Sequence, residues 1–283
     1  NETDNSLELH GPLSFLNNGS FLVSARQYNS SGWLFGKNIF QTDDTIPIQQ
    51  FIQIAQMNMT DQERLSGIEI PDSLMTGNRE FVPLNSKKTT SYFSKITFYP
   101  FKKLKMSYSL ILNDNKSRSY SNSRRYAPEG VPTSYSQDFS QILNFNHMLS
   151  NKIFYTLSFS NYSNESKRHL YQNELSPNYQ GIPFSSNGFL FGGTSNSRSK
   201  VNNSSSNIKF DLTGQLNQFN QMKVGFDYKI NKLDFLSLTT IARGPVTALP
   251  ELSIPEQNTS GNNRYDKFPV ELSFYIQNKL ESD

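Results

Sequence analysis

The stretch Asn207-Ile208-Lys209-Phe210-Asp211-Leu212-Thr213-Gly214-Gln215-Leu216-Asn217 decides the fold. Ile208, Phe210, Leu212, Gly214 and Leu216 fall on one side of an extended chain. Asn207, Lys209, Asp211, Thr213, Gln215 and Asn217 fall on the other. A side-chain period of two belongs to a β-strand with two unlike faces. After a few turn residues the pattern returns, with Met222, Val224, Phe226, Tyr228 and Ile230 against Lys223, Gly225, Asp227 and Lys229. Near the end, Phe268, Val270, Leu272, Phe274, Ile276 and Leu280 oppose Glu271, Ser273, Gln277, Lys279 and Glu281. Toward the N-terminus, Leu104, Met106, Tyr108, Leu110 and Leu112 alternate with Lys103, Lys105, Ser107 and Ser109. Weaker versions run through 153–161, 141–149, 92–99, 21–28 and 6–15, so nine strands are predicted.

The alternation lasts about 9–12 residues per strand, where globular strands average about 5–6. A tilted strand crossing a bilayer needs about 9–11 residues. The connections also fall into two classes. Those near 17–19, 100–102, 150–152 and 217–220 are very short, while those at about 29–88, 113–137, 162–204 and 231–267 are long. Each long connection joins the same ends of successive hairpins. Short turns on one side and long loops on the other mark an outer-membrane barrel. The predicted fold class is therefore all-β, an antiparallel up-and-down transmembrane β-barrel segment occupying residues 1–283, with short periplasmic turns and long extracellular loops.

Composition agrees. The 39 Ser and 31 Asn make up about a quarter of the 283 residues, aromatics reach 13% and charged residues only 18%. A helical bundle would need more Ala, Leu, Glu and Lys, and disorder would be poorer in aromatics. A net charge of +3 without a basic block gives no nucleic-acid footprint. The chain has no cysteine, hence no disulfide framework or thiolate site. Apolar runs fall short of the ~18–20 residues of a membrane helix. The Ser/Asn-rich loops are expected to be hydrated caps without a core of their own. One stretch differs: 49–64 is richer in Ile, Phe and Met, and Thr60-Asp61-Gln62-Glu63 matches a capping box, so a short helix is expected to begin there.

Charges at alternate positions are costly against lipid and belong on a lumen face. Lys209, Asp211, Lys223, Asp227, Lys229, Glu271 and Lys279 are the predicted lumen-facing set, with Lys209 and Asp227 as candidate partners. In a long loop, Arg124-Arg125-Tyr126 is the candidate ligand-binding triplet, because Arg suits bidentate oxyanion recognition. Phe98, Tyr99 and Phe101 at one boundary, and Tyr28, Trp33 and Tyr162 at the other, are predicted aromatic girdles. His10, His147 and His169 are far apart, and no nucleophile elbow or Gly-rich phosphate loop occurs. No catalytic residue, metal site or cofactor is predicted.

Several motifs carry a family resemblance. Gly11-Pro12-Leu13 followed by Gly19-Ser20-Phe21-Leu22-Val23-Ser24-Ala25-Arg26 resembles early barrel strands of TonB-dependent outer-membrane receptors. Gly32-Trp33-Leu34-Phe35-Gly36 with Asp43-Asp44 resembles the first extracellular connection of that family, and Ser94-Lys95-Ile96-Thr97-Phe98 a mid-barrel strand. Phe274-Tyr275-Ile276-Gln277-Asn278-Lys279-Leu280-Glu281 is similar to its Y-x-Q-D-K-hydrophobic-E strand, with Asn278 in place of Asp. The resemblance implies import of a scarce nutrient (a metal chelate, vitamin or oligosaccharide) across the bacterial outer membrane. It also implies a barrel of about 22 strands, an N-terminal plug and energy supplied through TonB. No plug is read in this sequence and only nine strands are counted, so the remaining strands and plug are expected partners, together with outer-membrane lipid. Two other readings stand beside it: a porin-like or structural outer-membrane barrel subunit, and a soluble β-sandwich binding module.

Overall fold

The computed structural model describes residues 2–58, 69–179, 184–186, 188–243 and 250–280. In chain order the elements are β1 (Glu2–Leu13), β2 (Gly19–Ser30), β3 (Phe35–Lys37), helix α1 (Thr45–Asn58), β4 (Phe81–Pro83), β5 (Ser86–Phe101), β6 (Leu104–Arg118), β7 (Thr133–Met148) and β8 (Ile153–His169). Then follow β9 (Phe184–Ser186), β10 (Phe189–Phe191), β11 (Ser197–Asn217), β12 (Asn220–Thr239), β13 (Ile241–Arg243), β14 (Glu251–Ser253), β15 (Asn262–Lys267) and β16 (Val270–Leu280).

One antiparallel sheet dominates, in the order β1-β2-β5-β6-β7-β8-β11-β12-β15, with β16 also on β12. β15 and β16 are one strand line broken at Pro269. Leu233 lies opposite Lys267 and Ile230 opposite Val270, so the register is unchanged across the break. Proline lacks the N–H a ladder needs, but its carbonyl still accepts from Asn231 N–H at 2.9 Å. The sheet therefore has nine lines, one for each alternating segment. The short turns after β1, β5, β7 and β11 share one edge, and the long connections share the other.

The register makes the two faces explicit. Phe98, Met106, Phe145, Leu157, Phe210, Phe226 and Phe274 follow one another across seven neighbouring lines. The interleaved row on the opposite face is Ser20, Thr97, Ser107, Asn144, Ser158, Lys209, Asp227 and Ser273. A one-residue slip would exchange these faces, so the pattern pins the register. Large side chains on the apolar face stand exposed, including Leu7, Val23, Ile96, Tyr108, Phe159, Ile208 and Ile276. Soluble monomers rarely leave a contiguous apolar face uncovered.

The strands run much further than the alternation. β11 has 21 residues and β12 has 20. At a rise of about 3.4 Å each, β12 reaches roughly 65 Å, while its apolar run ends at Ile230. Beyond the belt the alternation is lost, with β8 and β11 mostly Ser, Asn and charged residues and β12 carrying Leu233, Phe235, Leu236 and Leu238 on both faces, so the ladder continues where no period remains to be read. The long connections accordingly occupy only 31–85, 119–132, 170–196 and 240–261.

Three of these connections share a core, contrary to the expectation of coreless loops. Phe40, Ile48, Ile52 and Ala127 are buried together, with Ile39, Phe51, Ile70, Leu74, Met75, Tyr126 and Phe191 around them. Helix α1 supplies Ile48, Phe51 and Ile52, spaced i, i+3, i+4 on one face. This helix begins at Thr45; the capping box Thr60-Asp61-Gln62-Glu63 lies outside the described residues. Pro47 sits in its first turn, where a missing N–H costs nothing. Asp44 precedes the helix and ties it to the next segment: its carboxylate accepts from Gln41 N–H at 2.9 Å, Thr76 N–H at 3.0 Å and Thr76 hydroxyl at 2.6 Å.

Two of the predicted girdle residues are placed differently. Tyr28 and Tyr162 lie on the polar face, in register with Thr89 and with Ser140 and Ser205. Tyr162 hydroxyl donates to Asp138 at 3.0 Å. The aromatics that close the apolar belt at that end are Tyr92, Phe139 and Phe268, on the correct parity.

Candidate functional site

Two regions hold the functional groups: the polar face of the last three strand lines, and the cap over the long-connection edge. Lys209, Asp211, Lys223, Asp227, Lys229, Glu271 and Lys279 all fall on the polar face of β11, β12 and β16. Lys209 and Asp227 are direct register neighbours, but among the described residues no ion pair within 4 Å joins them. The pairs that form are Lys229–Glu271, at 3.6 Å between directly opposed residues, and Lys223–Asp211, a diagonal contact at 3.6 Å. Asn231 adds a 2.6 Å donor to Glu271.

Asp211 is the hub of this face. Tyr275 hydroxyl donates to its carboxylate, and Lys223 Nζ also lies 5.4 Å from the Tyr275 ring centre. Gly225 makes this possible, because it faces Asp211 on one side and Tyr275 on the other. A Cβ there would come within 2.7 Å of Asp211 Oδ1, Phe210 O and Tyr275 Cζ. The ring occupies the space a side chain would take. Gly225→Val is therefore expected to cost about 1–3 kcal/mol by overpacking, despite the better strand propensity of valine. A shift in the denaturant midpoint at unchanged slope measures it; a stabilised variant would refute this packing. Tyr275 and Gly225 were not singled out by sequence, although a lone glycine in a regular alternation signals close approach.

The cap separates the members of the predicted ligand-binding triplet. Arg124 is buried in a 3₁₀ turn (Asn122–Arg124), with Nη1 donating to Gly193 O at 2.8 Å. Burial lowers its pKa to about 10, so it stays charged at neutral pH. It fastens one connection to another and is unavailable to a ligand. Arg125 is exposed, its guanidinium 5.1 Å from the Tyr126 ring and 5.7 Å from that of Phe189. Those two rings meet edge to face at 5.2 Å. An exposed cation backed by two aromatic rings can still meet an anionic group. Thr45 hydroxyl donates to Phe191 O at 2.9 Å, and Gly193 N–H to Thr42 O at 2.9 Å, so the β9–β10 hairpin is bound into the same cap.

The histidines do not converge. His10 is on the polar face of β1. His147 is on the apolar face, its Nδ1 3.3 Å from Tyr155 hydroxyl. His169 stacks on Tyr135 at 5.3 Å. Burial first, then the charges of Arg198 and Lys167, hold the pKa of His169 below its ordinary value and keep it neutral at neutral pH.

No family model matches this sequence, and no curated protein matches it. Solved structures do match in fold. The outer membrane transporter YddB from Escherichia coli aligns over 98% of this chain and 32% of that chain, at 10% identity and a TM-score of 0.52. The ferric yersiniabactin uptake receptor FyuA from Yersinia pestis aligns over 97% and 34%, at 8% identity and a TM-score of 0.46. The ferric-catecholate import receptor Fiu from E. coli K12 aligns over 98% and 43%, at 7% identity and a TM-score of 0.46. The chain spans about a third of the length of the first of these. With its nine antiparallel lines, two unlike faces and segregated connections, the chain has the fold of a segment of an outer-membrane β-barrel wall.

Proposed function

We propose that this chain forms part of the wall of a TonB-dependent transporter in a bacterial outer membrane. The carrying observation is the exposed apolar belt across all nine strand lines, with Lys209, Asp211, Lys223, Asp227, Lys229, Glu271 and Lys279 confined to the other face. Against lipid such charges would cost about 2–4 kcal/mol each for a lysine near the midplane; toward a wet lumen they can pair, line the passage or hold a plug. The apolar face meets lipid, the short turns face the periplasm, and the connections at about 29–88, 113–137, 162–204 and 231–267 stand outside with the ends of their strands.

Among the described residues β1 pairs only with β2, and the β15–β16 line only with β12. Unpaired backbone groups in hydrocarbon cost roughly several kcal/mol each. Further strands, from the same or another chain, are therefore part of the reading, as are a plug and contact with TonB. The assembled protein imports a scarce nutrient such as a metal chelate, a vitamin or an oligosaccharide. Its work is binding and passage, with no covalent step, and Arg125 with Tyr126 is a candidate outer contact. Uptake by cells that depend on this protein is expected to stop when TonB is deleted. Unchanged uptake would remove the transporter reading, and a chain monodisperse in detergent-free buffer would remove the wall itself.

A further inference from the structure

The wall strands continue past the apolar belt with their side-chain parity intact. The register shifts between Phe98 and Phe101 and between Gln215 and Asn217 both lie at the short-turn edge. The lipid-side face can therefore be followed outward residue by residue. Four residues beyond Tyr92 and Leu112 on that face come Lys88 and Lys116. The row continues through Tyr135, Lys167 and Lys200 on the next three lines, each directly opposite its neighbour. Four of five adjacent positions are lysine. Of the two flanking rows of the opposite face, Thr89, Asn115, Ser136, Ser166 and Val201 carry no charge, and Lys87, Ser117, Ser134, Arg168 and Ser199 carry two cations that are not adjacent.

Like charges placed directly opposite destabilise a sheet. Lys167 and Lys200 are partly compensated by Glu165, which pairs with both. Lys88 and Lys116 are exposed, and among the described residues neither has a carboxylate within 4 Å. Lys116 Nζ instead lies 5.7 Å from the Tyr135 ring centre. A shallow depression of about 250 Å³ opens between Lys88, Lys116, Asn29 and Thr3. Four residues add about 13 Å along a strand, or roughly 10 Å in height at a 45° tilt. That places the two ammonium groups above the acyl chains, at the level of lipid headgroups.

We propose that this outward basic row binds the phosphate groups of an outer-leaflet glycolipid, with Lys88 and Lys116 as the central contact and Lys167 and Lys200 as a second. The assignment rests on the wall reading, in which the apolar face meets lipid and the long connections lie outside. The same face carries Asp114, Glu165 and Asp234 one row nearer the belt, but among the described residues none of them comes within 4 Å of Lys88 or Lys116. Lysine suits phosphate as a point charge, and a phosphorylated headgroup supplies the anion that these two lack.

The test uses the detergent-extracted protein carrying this chain, with rough lipopolysaccharide before and after removal of its phosphates, and with inorganic phosphate. Lys88→Gln with Lys116→Gln is expected to weaken binding of the phosphorylated lipid about tenfold. Lys167→Gln with Lys200→Gln is expected to weaken it less. Lys105→Gln, on the opposite face of β6 at the short-turn edge, leaves it unchanged and controls for total charge. Equal binding of the dephosphorylated lipid, or no effect of the Lys88/Lys116 double variant, overturns the proposal. Inorganic phosphate bound with the same lysine dependence marks a free-anion site and overturns the glycolipid assignment. Insertion into phospholipid vesicles is scored on the same preparations. Protein that inserts but binds lipid without lysine dependence refutes this proposal alone, whereas protein that does not insert refutes the wall reading as well.

Discussion

Phe226→Arg is expected to destabilise the folded wall by about 3–7 kcal/mol. Phe226 lies in the middle of the run from Met222 to Ile230, far from either end of the belt. Its ring is 5.9 Å from Phe210 and 6.4 Å from Phe274, so it links three strands. Arginine near the hydrocarbon midplane costs about 2–4 kcal/mol, and each lost aromatic pair adds about 0.5–1.5 kcal/mol. The adjacent residue supplies the control. Asp227 faces the other way, and Asp227→Ala is expected to change stability by less than about 1 kcal/mol. Denaturant midpoints of the two variants folded into lipid vesicles measure both. If Asp227→Ala proves the more damaging, the faces are assigned the wrong way round.

The second large effect is expected in the cap. Ile48 is fully buried, among Phe40, Ile52, Ala127 and the partly buried ring of Phe191. Ile48→Ala is expected to cost about 2–5 kcal/mol through lost transfer energy and the cavity left behind. The loss is local, because the core is built from connections and includes no residue of the nine wall lines. Amide exchange in 39–58 and 122–131 is expected to quicken by two orders of magnitude or more, with β11 and β12 unchanged. Equal acceleration in wall and cap would show one cooperative unit, and no acceleration would show that Ile48 does not hold the cap together.

These two sites differ in how far the sequence exposes them. Phe226 and Asp227 were separable by parity alone, because hydrocarbon on one side and water on the other impose a period of two. The same reasoning placed all seven charges of β11, β12 and β16 on one face. It could not choose their partners. Lys209 sits opposite Asp227, yet the closer pairs are Lys223 with Asp211 and Lys229 with Glu271, because side-chain reach and the gap at Gly225 determine the contacts.

The parity argument also stopped where the apolar belt stops. Beyond Leu112, Phe159 or Ile230 the alternation fades. The backbone ladder needs no alternation, so β8 and β11 continue as strands through Ser, Asn and Lys, and β12 through Leu233, Phe235, Leu236 and Leu238 without a period of two. The apolar stripe of α1 is present in the sequence at Ile48, Phe51 and Ile52, at helical spacing across the start of the richer 49–64 stretch. Arg124 and Arg125 are indistinguishable by type. One is buried on Gly193 O and the other exposed over Tyr126 and Phe189, a division decided by connections from distant parts of the chain.

What the amino-acid order by itself determined is the wall: nine strands, their two faces and the segregation of short turns from long connections. All three follow from local period and spacing, which solvent contrast writes into neighbouring residues. Only the tertiary structure decided the cap, the Asp211–Tyr275 contact and the lysine row from Lys88 to Lys200. Each of these joins residues tens of positions apart, brought together by register and by a core that no single connection has enough apolar surface to form.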